Sequence, residues 1–144
     1  NTVVREIAFH RFGTRFHDER AKGEVSVERI REIWMEELRA SLGPAVDLKG
    51  YEDWWTYVSH FVHSPFYVYA YAFGDLLVAA LMETRAKDPE SFTPLYRELL
   101  AGGGSKGYVE ALAPMGLNPR DPSFWTIGTQ RLEKLVDQFE ALSL

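Results

Sequence analysis

Apolar residues in this chain recur at intervals of three and four, and no segment alternates apolar and polar residues at every second position. A helix turns every 3.6 residues and a strand flips every two, so this spacing calls for helices and argues against a half-buried sheet. Val3, Ile7, Phe9, Phe12 and Phe16, with charges between them, set the pattern for a first helix ending near the Ala-Lys-Gly-Glu stretch at 21–24. Ser26 can cap a second helix whose stripe is Val27, Ile30, Ile33, Trp34, Leu38 and Leu42, and Gly43-Pro44 stops it. These two helices are expected to form an antiparallel hairpin.

The same spacing, interrupted by turn residues, organises the rest. Residues 45–50 read as loop, and YEDWWTYVSHFVH (51–63) has helical spacing with dense aromatics, so a helix is expected there. Ser64-Pro65 punctuates, and proline is tolerated in a first helical turn, so a long buried helix is expected from Pro65 to about Arg85. Further helices are expected over about Ser91 to Leu100, Gly107 to Leu112, and Ser123 to the end. The glycines at 102–104, then Pro114 and Gly116, separate them. With no repeat or low-complexity tract, the expected fold class is all-α, a helical bundle with residues 1–144 as a single segment.

Composition excludes several functions. The 144 residues suffice for a sizeable core, and 16 basic against 21 acidic residues, with the basic ones scattered, leave no footprint for a nucleic-acid backbone. The absence of cysteine removes disulfides and thiolate chemistry and leans toward a cytoplasmic location. The apolar run from Pro65 to Met82 reaches the ~18 residues that raise a membrane question. Asp75 lies inside it and its first half is rich in tyrosine, so a buried helix is expected and no membrane partner. The N-terminus is charged throughout, with no apolar signal core, and reads like the interior of a domain, so the chain is expected to be part of a longer one.

Most candidate motifs have bland readings. AGGGSKGY (101–108) lacks the spacing and the preceding strand of a phosphate-binding loop. His10 and His17 lie two turns apart, and His60 and His63, although one turn apart, imply no third ligand, so no metal site is expected in the chain. Glu28, Glu32, Glu36 and Glu37 lie on a helix whose other face is apolar and are expected to face water. Ser59, Ser64 and Ser105 lie in no nucleophile motif. The tyrosines of HFVHSPFYVYAYAFGD (60–75) remain. At about 100° per residue, Tyr67 and Tyr71 share one helix face, with Asp75 continuing it, while Tyr69 points nearly opposite with Phe73, Leu76 and Ala80. Two readings stand: packing residues with locally satisfied hydroxyls, or a face carrying phenols for a purpose.

HFVHSPFYVYAYAFGDLL strongly resembles the late catalytic-domain segment of the oligoendopeptidase F family of zinc metallopeptidases, relatives of thimet oligopeptidase. TVVREIAF, FHDERAKGEVSVERI, WWTYVSHF, LYRELLAGGGSKGYVEALAPMGLNP and FWTIGTQRLEKLVDQFEAL match the family's C-terminal run in order and extend the resemblance over nearly the whole chain. It departs at Glu6, where the family tends to have glutamine, at His10, where it has tyrosine, and at Gly13, where it has glutamate.

The resemblance implies the C-terminal α-helical segment of a zinc endopeptidase that hydrolyses short peptides. In that family zinc is held by the histidines of an H-E-x-x-H helix and a downstream glutamate. None of these is in this sequence, so zinc is expected only in the complete enzyme, and the chain alone is expected to be inactive. Its expected partners are a peptide substrate and the missing N-terminal part of the same enzyme. The 60–75 stretch would form a cleft wall opposite the metal, where neutral phenols and a histidine donate hydrogen bonds to the developing oxyanion. Carried over by position, Tyr71 takes the oxyanion-donor role and His60 that of the cleft histidine. Tyr67 is the nearest second donor and His63 the alternative histidine. Tyr69 belongs to the same substrate-binding motif, although the helical geometry above turns it toward the core. The rival expectation is a non-catalytic all-α peptide- or protein-binding module whose tyrosine face grips a partner.

Overall fold

In the computed structural model, which describes residues 2–142, seven α-helices follow one another, and no strand occurs among the described residues. The first two are α1 (Thr2–Arg20) and α2 (Val27–Leu42). Ser26 caps α2 as expected, its Oγ accepting from the Arg29 N–H at 3.2 Å. Gly43 ends it with φ 71°, its N–H donating to the Arg39 carbonyl.

The two helices pack as an antiparallel hairpin whose rungs run along its length. Ser41 donates to the Val4 carbonyl at 3.1 Å near one end, and Arg29 grips both carboxylate oxygens of Glu19 at 2.7 and 2.9 Å near the other. Between them Arg15 reaches Glu36 at 2.6 Å and Glu37 at 2.7 Å. Glu37 is buried rather than solvated, contrary to the sequence expectation. The reason lies in α1: Arg15 takes one carboxylate oxygen, and Arg11 Nε sits 2.8 Å from the other, close as a charge although out of line for a hydrogen bond.

The chain divides into two compact units, the first ending at Phe73 and the second beginning at Gly74. In the first, Phe12, Ile33, Trp34, Met35, Leu38 and Leu48 form the core, with Phe9, Trp55 and Phe61 packed against it. The Trp34 indole donates to the Tyr51 carbonyl at 2.8 Å, which ties the connector after α2 to the hairpin. The second unit has a smaller-residue core, Ala80 with Leu112, Leu117 and Phe124. It contains α5 (Pro89–Gly102), α6 (Tyr108–Leu112) and α7 (Pro122–Leu142). Asp88 caps α5 through the Ser91 N–H, with Pro89 as its first residue, which moves the start two residues ahead of the expected one.

Two expectations fail in the aromatic connector. Residues 51–63 do not form one helix: they give a 3₁₀ turn at Trp54–Tyr57 and a single α-turn, α3 (His60–His63). Tertiary anchors override the local spacing here. Asp53 is held to Arg31 by two bonds of 2.7 and 2.9 Å, and Phe61 lies among the rings of Phe9, Phe12 and Trp34. The long helix α4 (Tyr69–Lys87) also begins later than Pro65. Phe66 adopts φ 62°, uncommon for a bulky residue, and Ser64 to Tyr67 form a turn closed by the Tyr67 N–H on the Ser64 carbonyl. The buried residues near and along α4 are Val68, Ala72, Leu76, Ala79 and Ala80, so the core stripe passes one position away from Tyr69.

Candidate functional site

The turn at residues 64–67 and the late start of α4 decide where the tyrosines go. Tyr71, in the first turns of α4, lies with its hydroxyl 3.0 Å from His60 Nε2 on α3. Their rings meet edge to face at 5.5 Å. Tyr67, in the turn itself, stacks parallel to the His60 imidazole at 6.1 Å and meets the Tyr71 ring edge on at 5.7 Å. The three rings therefore form one cluster. Tyr67 reaches Tyr71 through the turn, not through the helix face that the sequence pattern invoked.

Tyr69 is not in the core: it is 51% exposed and packs edge to face on His10 of α1 at 5.8 Å. The buried stripe of α4 runs through Ala72, Leu76, Ala79 and Ala80, and Tyr69, the first residue of the helix, falls beside it and meets His10 instead. His63 is exposed on α3, and no hydrogen bond or ring contact among the described residues joins it to the His60–Tyr71 pair.

His60 and Tyr71 open onto a hollow of about 590 Å³. Its walls bring in residues that the sequence reading passed over. Arg5 and Glu6 of α1 contribute a buried carboxylate 3.4 Å from a half-exposed guanidinium. Tyr51, Trp54 and Tyr57 contribute a run of exposed rings, stacked at 5.0 Å and then tilted at 5.7 Å. The density of aromatic residues at 51–57 is the available signal, but the sequence reading makes this stretch only a helix and assigns it no site. Such a hollow, walled by aromatic rings, an ion pair and the His60–Tyr71 pair, offers apolar and polar contacts together.

No group of three or more His, Asp or Glu side chains that could hold a metal ion occurs among the described residues. His60 Nε2 is engaged by the Tyr71 hydroxyl. No helix among the described residues is long and apolar enough to cross a membrane.

An all-α scaffold thus sets a hydrogen-bonded histidine and tyrosine beside a hollow walled in part by aromatic rings. Residues 1–130 match the model of peptidase family M3, and the chain belongs to that family of metallopeptidases, the relatives of thimet oligopeptidase. Its members are zinc enzymes in general. No curated protein and no solved structure matches the chain.

Proposed function

We propose that this chain is the helical cleft wall of a cytoplasmic zinc oligoendopeptidase of the oligoendopeptidase F type, acting on short unstructured peptides. In this reading the zinc ligands lie in a part of the enzyme outside the chain, and the chain's own residues hold substrate and stabilise charge. The observation that carries the reading is the His60 Nε2 to Tyr71 hydroxyl contact of 3.0 Å at the edge of the hollow.

That contact has a chemical use. A hydroxyl both accepts and donates, so when Nε2 carries its proton it donates to the phenol oxygen and leaves the Tyr71 O–H to point elsewhere. A hydroxyl that accepts a hydrogen bond is polarised into a better donor. During peptide hydrolysis the scissile carbonyl oxygen gains negative charge as its carbon becomes tetrahedral, and a donor held ready for that charge lowers the barrier. Tyr71 is the residue that meets the oxyanion. His60 orients it, and Tyr67, stacked on the imidazole, keeps that ring upright and offers a second phenol. The Tyr51, Trp54 and Tyr57 rings, which line the hollow, hold apolar side chains of the peptide.

The test is Tyr71→Phe in the complete enzyme, assayed on a quenched fluorescent peptide. Its kcat is expected to fall by roughly 10²–10³ with KM little changed, because the bond is made chiefly in the transition state. His60→Ala should act in the same direction, and His63→Ala should not. A Tyr71→Phe enzyme that keeps kcat within about threefold of wild type, well under the loss expected for an oxyanion donor, overturns the role. A complete parent protein that binds the peptide but does not cleave it would make the non-catalytic binding module the better reading.

A further inference from the structure

The first unit holds a second, smaller cavity of about 200 Å³, and His60 and Phe9 line both it and the hollow that opens at Tyr71. The two spaces therefore share a wall. Phe12 and Val68 are buried at the cavity, while His17, Val62, Pro65 and Phe66 are exposed, so it opens outward. Phe66 adopts φ 62°, a conformation that strains a bulky residue and persists only where the surroundings hold it. Its ring lies 4.6 Å from that of His17 on α1, and the next residue, Tyr67, stacks on His60. One strained turn thus sets one ring at the rim of the cavity and the next beside the His60–Tyr71 pair. Gly13 of α1 also lines the cavity, and a Cβ there would meet nothing within 4 Å. A helix interior gains nothing from glycine except the space that a side chain would take.

We propose, resting on the reading of the hollow as a peptide cleft, that this cavity is its specificity pocket. It takes an aromatic side chain of a residue flanking the scissile bond, and the missing side chain at Gly13 sets its size. Position follows from His60, which lines the cavity and whose Nε2 meets the Tyr71 hydroxyl at 3.0 Å. A peptide whose carbonyl oxygen reaches Tyr71 carries its neighbouring side chain within reach of the cavity. Size follows from the volume: a dry, apolar cavity of about 150 Å³ holds benzene, so this one holds a phenyl ring or a somewhat larger one. Chemistry follows from the lining. Phe9, Phe12, Phe16 and Phe61 present rings, and three imidazoles join them, each already in a ring contact: His10 with Tyr69, His17 with Phe66 and His60 with Tyr67. A further aromatic ring meets such neighbours edge to face or offset. The histidines make an acidic side chain the rival occupant, but among the described residues no lysine or arginine lines the cavity to offset a buried carboxylate.

The experiment gives the complete enzyme soluble alanine-rich peptides in which a single phenylalanine is stepped along the sequence, and locates the cleaved bond by mass spectrometry. Cleavage is expected to follow the phenylalanine, with kcat/KM roughly 10–100-fold above that of the peptide without it, the worth of burying one such side chain. Gly13→Leu should bring that ratio to within about three-fold while the alanine-only peptide is cut at the wild-type rate. Gly13→Ala should lower kcat/KM for a tryptophan peptide by about five-fold or more and leave the alanine-only peptide unchanged. A cleaved bond that ignores where the phenylalanine stands overturns the proposal, as does a glutamate peptide cut as well as the phenylalanine one. So does a folded Gly13→Leu enzyme with wild-type selectivity. If Gly13→Leu does not fold, Gly13→Ala decides: an unchanged tryptophan-to-alanine ratio overturns the pocket. Failure to cleave any of these peptides is a different result, which sinks the peptidase reading and the pocket with it.

Discussion

Gly13 and Gly128 occupy equivalent places in the sequence pattern, each inside an amphipathic helix with no turn residue beside it, yet the two units use them in opposite ways. Gly13, in the first unit, faces open space. At Gly128, in the second, a Cβ would fall 2.8 Å from the Leu76 Cδ2, 3.1 Å from its carbonyl oxygen and 3.2 Å from its Cα. The second unit is closed by backbone approaching backbone, with Ala80 fully buried beside it in sequence space on the same helix as Leu76. The first is filled by rings, and rings of fixed shape leave gaps. The cluster of Phe9, Phe12, Trp34 and Phe61 buries much surface but does not close around Gly13. The hollow beside His60 and Tyr71 lies in the aromatic unit, while the second unit has a hollow of about 300 Å³ of its own, lined by Leu95, Leu99 and Ala111 among others.

Alanine substitution should separate the two glycines by sign. At Gly128 the Leu76 methyl can rotate away, but its carbonyl and Cα cannot move without the helix. Overpacking of this kind costs about 1–3 kcal/mol, and the better helix propensity of alanine returns up to about 1. Gly128→Ala is therefore expected to lose up to about 2 kcal/mol in urea unfolding. Gly13→Ala meets no atom and should gain about 0.5–1 kcal/mol from propensity alone. Equal shifts of the same sign at both positions would break the comparison. The two changes touch no common neighbour, so the double variant should show the sum.

Neither glycine's role could be read from the chain, because a helical period records which face is buried and not how near the neighbour comes. What could be read was local. Ser26 and Gly43 announced both ends of α2, and the stripes of α1 and α2 announced the hairpin. The connector from Tyr51 to Val68 could not be read this way, since its conformation is set by remote anchors: Trp34 on the Tyr51 carbonyl, Arg31 on Asp53, and Phe61 among the α1 rings. Because the connector ends in a turn at Phe66, α4 starts at Tyr69 and not at Pro65, and Tyr69, at the helix's first position, lies beyond the end of its buried stripe. The proximity of His60, Tyr67 and Tyr71 was legible only from the crowding of such residues in sixteen positions. The hollow's other wall, Arg5 and Glu6, comes from the far end of the first unit's sequence and leaves no signal in the 60–75 stretch.

The smallest effect separates the units by electrostatics. In the first unit, hydrogen bonds from Arg29 hold the Glu19 carboxyl below its ordinary value of 4.5, and those from Arg15 do the same for Glu36. In the second, no arginine is involved. Asp88 is held below 3.8 by bonds from Ser91, and Asp121 by bonds from Ser123, both at helix starts. In every case the folded pKa lies below the unfolded one. The stabilisation is therefore complete above the ordinary carboxylate range and is lost as pH falls through the lowered folded values. Melting temperature should be level from pH 7 down to about 5 and decline below it. Salt then distinguishes the causes, because exposed ion pairs are screened, with a Debye length near 3 Å at about 1 M, whereas a short bond to a backbone N–H is not. In ¹³C carboxyl titrations, adding about 1 M sodium chloride should move the Glu19 and Glu36 midpoints up toward their ordinary value and leave Asp88 and Asp121 nearly in place. If all four moved together, the arginine pairs and the helix caps would be equally electrostatic at long range, and the contrast drawn between the hairpin and the second unit would have to be abandoned.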